Sequence, residues 1–130
     1  MIQCLVITGD PAARDVVKTG LEETGSCEVD VAEDAWAVDL ADARPYRIIV
    51  ADATLADGAD GLEVLRKMRE RLPEAELLLI TRNRNQARYL ARDKQQLGLS
   101  GYIHLPVEAG EFFKGLARVL ERLGVLTPAA

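Results

Sequence analysis

Three short runs in this chain contain no polar side chain beyond one thiol: Cys4-Leu5-Val6-Ile7, Ile48-Ile49-Val50-Ala51 and Leu77-Leu78-Leu79-Ile80. Each is strand-sized and bounded by turn signals, and such a run suits a strand buried on both faces. A sheet of such strands needs helices above and below it, and the sequence supplies them. Pro11 fits the first position of a helix, and Ala13, Val16, Val17, Gly20 and Leu21 follow at helical spacing until Gly25. A second clear pattern starts at Gly61, places Leu62, Leu65, Met68 and Leu72 on one face, and is closed by Pro73. A last helix from about Glu108 to Leu123 carries a stripe from Phe112 to Leu123 at the same period.

Two further strands are mixed in character. Glu28 to Ala32 alternates, with Val29 and Val31 on one side and Glu28 and Asp30 on the other, which suits a sheet edge. Gly101 to Leu105 is short and mixed. A short helix is expected from Ala35 to Ala43, with Trp36 packed, and a polar helical segment from about Asn85 to Leu97. Five strands thus alternate with five helices, a pattern that means parallel strands joined by right-handed crossovers. With the apolar strands central and the mixed ones at the edges, the expected fold is a single-domain, doubly wound α/β sheet of order 2-1-3-4-5. Residues 1–124 form the domain, and 125–130 a tail or the start of a linker. Asp52 stands where the third strand stops, and such sheets bind ligands just beyond the carboxyl ends of their strands.

Composition narrows the function. A chain of 130 residues that is 48% hydrophobic suggests one domain with one sizeable core. A net charge of −5 argues against nucleic-acid binding. No apolar run is long enough to span a bilayer, and the start MIQCLVITGDP lacks the basic region of a signal peptide. A cytoplasmic location is expected, with Cys4 and Cys27 as reduced thiols, Cys4 buried and Cys27 in a turn. His104 is the single histidine; alone it makes no metal site, and a solvated or hydrogen-bonded strand residue is expected.

The whole chain, from about Gln3 to Leu123, resembles the receiver domain of bacterial two-component response regulators, the CheY-like domain. The resemblance rests on ITGDP at the end of the first strand, IIVADATLADGADG around Asp52, LLLITR around Thr81, and GLSGYIHLPV through the fifth strand. It implies the flavodoxin-like (βα)₅ fold and a role in phosphorelay signal transduction. Asp52 then matches the phosphoacceptor, Thr81 the hydroxyl residue that contacts the phosphoryl group, and Tyr102 the aromatic switch partner of Thr81. No enzyme activity is implied beyond self-phosphorylation and dephosphorylation at Asp52.

The chain departs from the family pattern at three places. The acidic pair that holds Mg²⁺, aligned on Pro11, falls on Thr8-Gly9, and Asp10 lies one residue beyond. The lysine that pairs with the phosphoryl oxygens falls on Leu105. The loop after Asp52 is one residue longer, lacks the common proline, and carries Asp57 and Asp60 among small residues. The resemblance with these departures implies no cofactor, or Mg²⁺ held weakly by Asp52 with Asp10. It implies a pseudo-receiver that binds a protein partner without efficient phosphorylation. The alternative is a working receiver phosphorylated on Asp52 by a histidine kinase, with Asp10, Asp57 or Asp60 helping to hold the ion. A flavodoxin-type cofactor binder is a further alternative on the same topology, but TGDPA offers only Thr8 and Gly9 for a phosphate loop.

Charge is unevenly distributed. Eight acidic residues and no Lys or Arg lie between Glu22 and Asp42. Five basic residues (Arg82, Arg84, Arg88, Arg92, Lys94) stand against Asp93 alone between Arg82 and Lys94. Both stretches suit solvated helix faces. The resemblance also implies a partner surface here: the face of helix four, strand five and helix five serves docking and dimer formation, which gives Arg84, Arg88, Arg92 and Tyr102 that role. The expected partners are a histidine kinase, a downstream signalling protein or a second copy, with neither nucleic acid nor membrane.

Overall fold

The unbroken apolar runs become the central strands of a parallel sheet. The computed structural model describes residues 2–25, 27–81 and 98–104. Within them β1 (Ile2–Ile7), β2 (Cys27–Ala32), β3 (Ile48–Asp52), β4 (Glu76–Thr81) and β5 (Gly101–His104) pair in the order β2-β1-β3-β4-β5. Every pairing is parallel. β3 is buried at each of its five positions. This is the fold class and strand order expected from the sequence.

The continuity of the runs has a direct cause. Successive side chains of a strand point to opposite faces, so a strand covered on both sides needs apolar residues at every position. Leu5, Ile7, Ile49, Ala51, Leu77 and Leu79 feed a core under helix α2 (Gly61–Arg71) and a 3₁₀ helix (Ala35–Asp42). Cys4, Val6, Ile48, Val50, Leu78 and Ile80 feed a second core against Val17 and Leu21 of α1 (Pro11–Glu22). Burying each Leu, Ile or Val among them stabilises the fold by roughly 1.5–3 kcal/mol.

Three local expectations change. The helix expected from Ala35 to Ala43 is a 3₁₀ helix over Ala35–Asp42. Its bonds run three residues back at both ends, from Ala37 N–H to the Asp34 carbonyl (3.1 Å) and from Ala43 N–H to the Leu40 carbonyl (3.0 Å). Trp36 is not packed: it is 54% exposed, while Ala37, Val38 and Ala41 make the buried face. Cys27 is not in a turn but opens β2 and is buried, as Cys4 is. Both thiols are free. Burial first, and Cys27 beside it second, push the Cys4 thiol above its ordinary range, so it is an inert core residue. The helical segments expected at 85–97 and 108–123 lie outside the described residues.

Arg69 fastens the end of α2 to the strands that follow. Its Nη1 donates to the carbonyls of Pro73 and Ala75, both at 2.8 Å, and its Nη2 donates to the Gly98 carbonyl at 3.1 Å. One planar fork thus binds the turn before β4 to the segment before β5. Lysine cannot reproduce that geometry. Arg69→Lys is expected to lose about 2 kcal/mol of stability, measured as a lower urea midpoint with an unchanged slope.

Candidate functional site

The order β2-β1-β3-β4-β5 reverses direction between β1 and β3, and the carboxyl ends of these strands open a crevice. Asp52 ends β3 in that crevice and is 1% exposed. A buried carboxylate must be hydrogen-bonded. Its Oδ2 accepts from the Thr8 hydroxyl at 2.7 Å, and its Oδ1 accepts from the Thr54 backbone N–H at 3.3 Å. Thr8, directly after β1, is itself buried. Its backbone N–H donates to the Ala32 carbonyl at 2.9 Å, and its Oγ1 accepts from the Asp10 N–H at 3.1 Å. The result is a short relay from the first turn of α1 through a hydroxyl to the carboxylate of β3. Thr8 thus puts a hydrogen-bond donor on Asp52.

The other acidic candidates have local partners. Asp10 is the N-cap of α1, and its Oδ1 accepts from Ala12 N–H (3.0 Å) and Ala13 N–H (3.4 Å). Asp60 is the N-cap of α2 and accepts from Leu62 N–H at 2.9 Å. Asp57 accepts from Ala59 N–H at 3.0 Å and from Ala35 N–H at 3.4 Å, so it ties the loop to the 3₁₀ helix. Asn, Asp, Ser and Thr before a helix satisfy orphan N–H groups in this way.

The loop after Asp52 is ordered by its own bonds. Thr54 and Asp60 form an isolated antiparallel bridge, and Leu55 N–H donates to the Ala59 carbonyl at 3.0 Å. Leu55 is buried, and Ala56 N–H donates to the Glu33 carbonyl at 3.0 Å. The loop comes close to β1's end because position 9 has no side chain: a Cβ on Gly9 would lie 2.8 Å from the Ala56 Cβ. Sequence reasoning noted the extra loop residue but missed Thr54, Leu55 and Ala56 as part of the site. The missing side chain at Gly9 beside a lengthened loop was the available signal.

A hollow of about 380 Å³ lies over this arrangement, lined by Gly9, Asp10, Asp52, Thr54, Leu55 and Ala56. A hard divalent cation takes oxygen ligands, commonly one or two carboxylates with water and phosphate oxygens. The described residues contain no group of three His, Cys, Asp or Glu able to hold a metal. Asp52 and the rim carboxylate of Asp10 are at hand, both engaged as donors' partners, and Gly9 contributes no side chain. The residues present do not fit the paired-carboxylate seat that the resemblance implies.

The remaining candidates come to the same end of the sheet. Thr81 ends β4, is fully buried, and stands in register with His104. Tyr102 pairs with Leu79, is half-buried, and packs against the core under α2. Leu105, Arg84, Arg88 and Arg92 lie outside the described residues, as does the His104 side chain.

A doubly wound parallel sheet of this strand order with a buried aspartate at the switch point is the arrangement of the receiver class of signalling domain. The match to the response regulator receiver domain covers residues 4–117, and the chain belongs to that family. Membership decides against the flavodoxin-type cofactor binder. Solved structures share the fold. A two-component response regulator from Clostridium difficile is 23% identical with a TM-score of 0.79, covering 95% of this chain and 98% of that one. The chemotaxis response regulator CheY4 of Vibrio cholerae is 21% identical with a TM-score of 0.78, covering 92% and 99%. A sensor protein from Polaromonas sp. JS666 is 22% identical with a TM-score of 0.78, covering 94% and 98%. No curated protein matches the chain. Among the described residues no helix is long and apolar enough to cross a membrane.

Proposed function

We propose that this receiver domain acts as a protein-binding signalling module without efficient Mg²⁺-dependent phosphorylation. The observation that carries the reading is the 2.7 Å bond from the Thr8 hydroxyl to Asp52 Oδ2. Phosphoryl transfer to a carboxylate depends on positioning and on cations that neutralise the equatorial oxygens. Thr8 and Gly9 stand where the family places its ion-holding acids, and Leu105 where it places its lysine. A hydroxyl donating to the acceptor oxygen draws electron density from the atom that must attack. Each lost charge-assisted contact costs about 1.5–3 kcal/mol, more when it acts only in the transition state. On this reading Thr81 and Tyr102, the residues matched to the family's switch pair, do not switch, because without a phosphoryl group nothing shifts their populations.

A second reading is a working receiver phosphorylated on Asp52 by a histidine kinase. The hollow over Asp52, with Asp10 at its rim, favours it, since a small ion has room to enter. Incubation with a small phosphodonor and Mg²⁺, followed by intact mass, separates the two. The expected result is no adduct above the level of an Asp52→Asn control. A phosphate adduct on the natural protein that vanishes in Asp52→Asn establishes the working receiver instead.

The proposed partner surface carries Arg84, Arg88 and Arg92 together with Tyr102, and its partners are a kinase, a downstream protein or a second copy in the cytoplasm. Five basic residues against one acidic residue in thirteen make this stretch the chain's basic counterpart to its acidic half. Reversal of the three arginines to Glu is expected to weaken association at low salt and to leave little effect at high salt. Sedimentation velocity, or binding to an identified partner, at two ionic strengths checks it. Unchanged association at low salt removes the surface from consideration.

A further inference from the structure

We infer that Ala56 is the residue that shuts an ion-binding carboxylate out of the Asp52 site, so that Gly9 and the lengthened loop are one coupled feature. This rests on the reading of the site as one that works without a bound divalent ion. A Cβ built on Gly9 would lie 2.8 Å from the Ala56 Cβ, 3.1 Å from its Cα and 3.3 Å from its backbone nitrogen. The closest atom is the alanine Cβ, which has no rotamer to change, so only a shift of the loop relieves the contact. The loop is also fixed from behind. Ala56 N–H is bound to the Glu33 carbonyl at 3.0 Å, and the Asp57 carboxylate accepts from Ala35 N–H at 3.4 Å. Leu55 is buried, and Gly58 N–H donates to the Leu55 carbonyl at 2.9 Å. A loop held to the 3₁₀ helix and plugged by Leu55 cannot back away from β1 without breaking these contacts.

A side chain at position 9 therefore forces the Ala56 segment to shift, and the contacts that hold that segment oppose an acidic residue there. The converse holds too. With Gly9 retained, shortening the loop would leave a gap against β1. Each feature is explained by the other, and neither is explained by the Asp52 carboxylate alone.

The test is a double-mutant cycle. Gly9→Ala and Gly9→Asp are made alone, with deletion of Ala56, and with Ala56→Gly in case the deletion does not fold. Thermal unfolding reads the contact, and titration with Mn²⁺ by electron paramagnetic resonance reads the ion. Gly9→Ala is expected to lower the melting temperature by several degrees, and deletion of Ala56 or Ala56→Gly is expected to recover part of that loss. Gly9→Asp alone is expected to bind Mn²⁺ no better than the natural protein, and Gly9→Asp with the Ala56 deletion about tenfold more tightly. Additive melting shifts, or a Gly9→Asp protein that gains the ion without help at position 56, overturn the inference. Tight Mn²⁺ binding by the natural protein instead overturns the ion-free reading of the site, and the melting-temperature cycle still decides whether positions 9 and 56 are coupled.

Discussion

Gly61→Ala is expected to cost roughly 3 kcal/mol or more, seen as a large fall in the urea midpoint. Gly61 is the first residue of α2, and its N–H donates to the Ala53 carbonyl at 3.0 Å. A Cβ there would overlap the backbone carbonyl of Asp52 and come within 3.3 Å of the Ala53 Cα. The overlap is with backbone on both counts. Relief requires moving either the start of α2 or the end of β3, and β3 is buried at every position. The site would feel the displacement directly, because Asp52 is the residue struck. Gly58→Ala is the matched control. Gly58 has a φ of +81° with nothing within 4 Å of its built Cβ, so its cost is the strain of a left-handed L residue, about 1–2 kcal/mol. Equal losses at the two positions would show that the close approach of α2 to β3 is not what holds Gly61.

The sheet was legible because its signal is local and redundant. Each central strand states its own burial in four successive residues, and β2 announces its edge position by alternating Glu28 and Asp30 with Val29 and Val31. The placement of Asp52 follows from the same argument, since it is the first polar residue after β3's apolar run. The pitch of the Ala35–Asp42 segment was not legible. Its buried residues Ala37, Val38 and Ala41 satisfy an α-helix or a 3₁₀ helix equally. The exposure of Trp36 was not legible either, because an aromatic residue carries the same pattern whichever way its helix is turned. The identity of Thr8 and Gly9 was plain, but what fills their place was not. A hydroxyl–carboxylate bond across 44 positions, and an alanine seated where a side chain is missing, are tertiary facts. Tyr46 belongs with them: it is buried just before β3, with its hydroxyl donating to Asp30 at 2.7 Å. Nothing in its sequence neighbours Pro45 and Arg47 signals that partner.

Thr8→Asp is expected to lose about 3 kcal/mol at neutral pH, and the loss should shrink in acid more steeply than that of Thr8→Val. The natural hydroxyl, itself buried, donates to the buried Asp52 Oδ2 and accepts from the half-buried Asp10 N–H. Valine has the same shape without the hydroxyl. It removes a bond to a charged group, worth about 1.5–3 kcal/mol, and adds no titrating group. Aspartate sets a second carboxylate against the first with little water between them. Like charges at such range cannot both ionise freely, so one folded-state pKa is raised above its unfolded value. A raised folded pKa contributes its stability below the unfolded value, near 4 for a carboxylate, and loses it as pH rises. The Thr8→Asp protein should therefore approach the natural one in acid and fall away from it toward neutrality. A divalent cation reverses the penalty by neutralising the pair, so Mg²⁺ should raise the melting temperature of Thr8→Asp more than that of the natural protein. Unfolding curves from acid to neutral pH, with and without Mg²⁺, measure all of this. A Thr8→Asp protein as stable as the natural one at every pH would mean that the hydroxyl on Asp52 is not what organises this site.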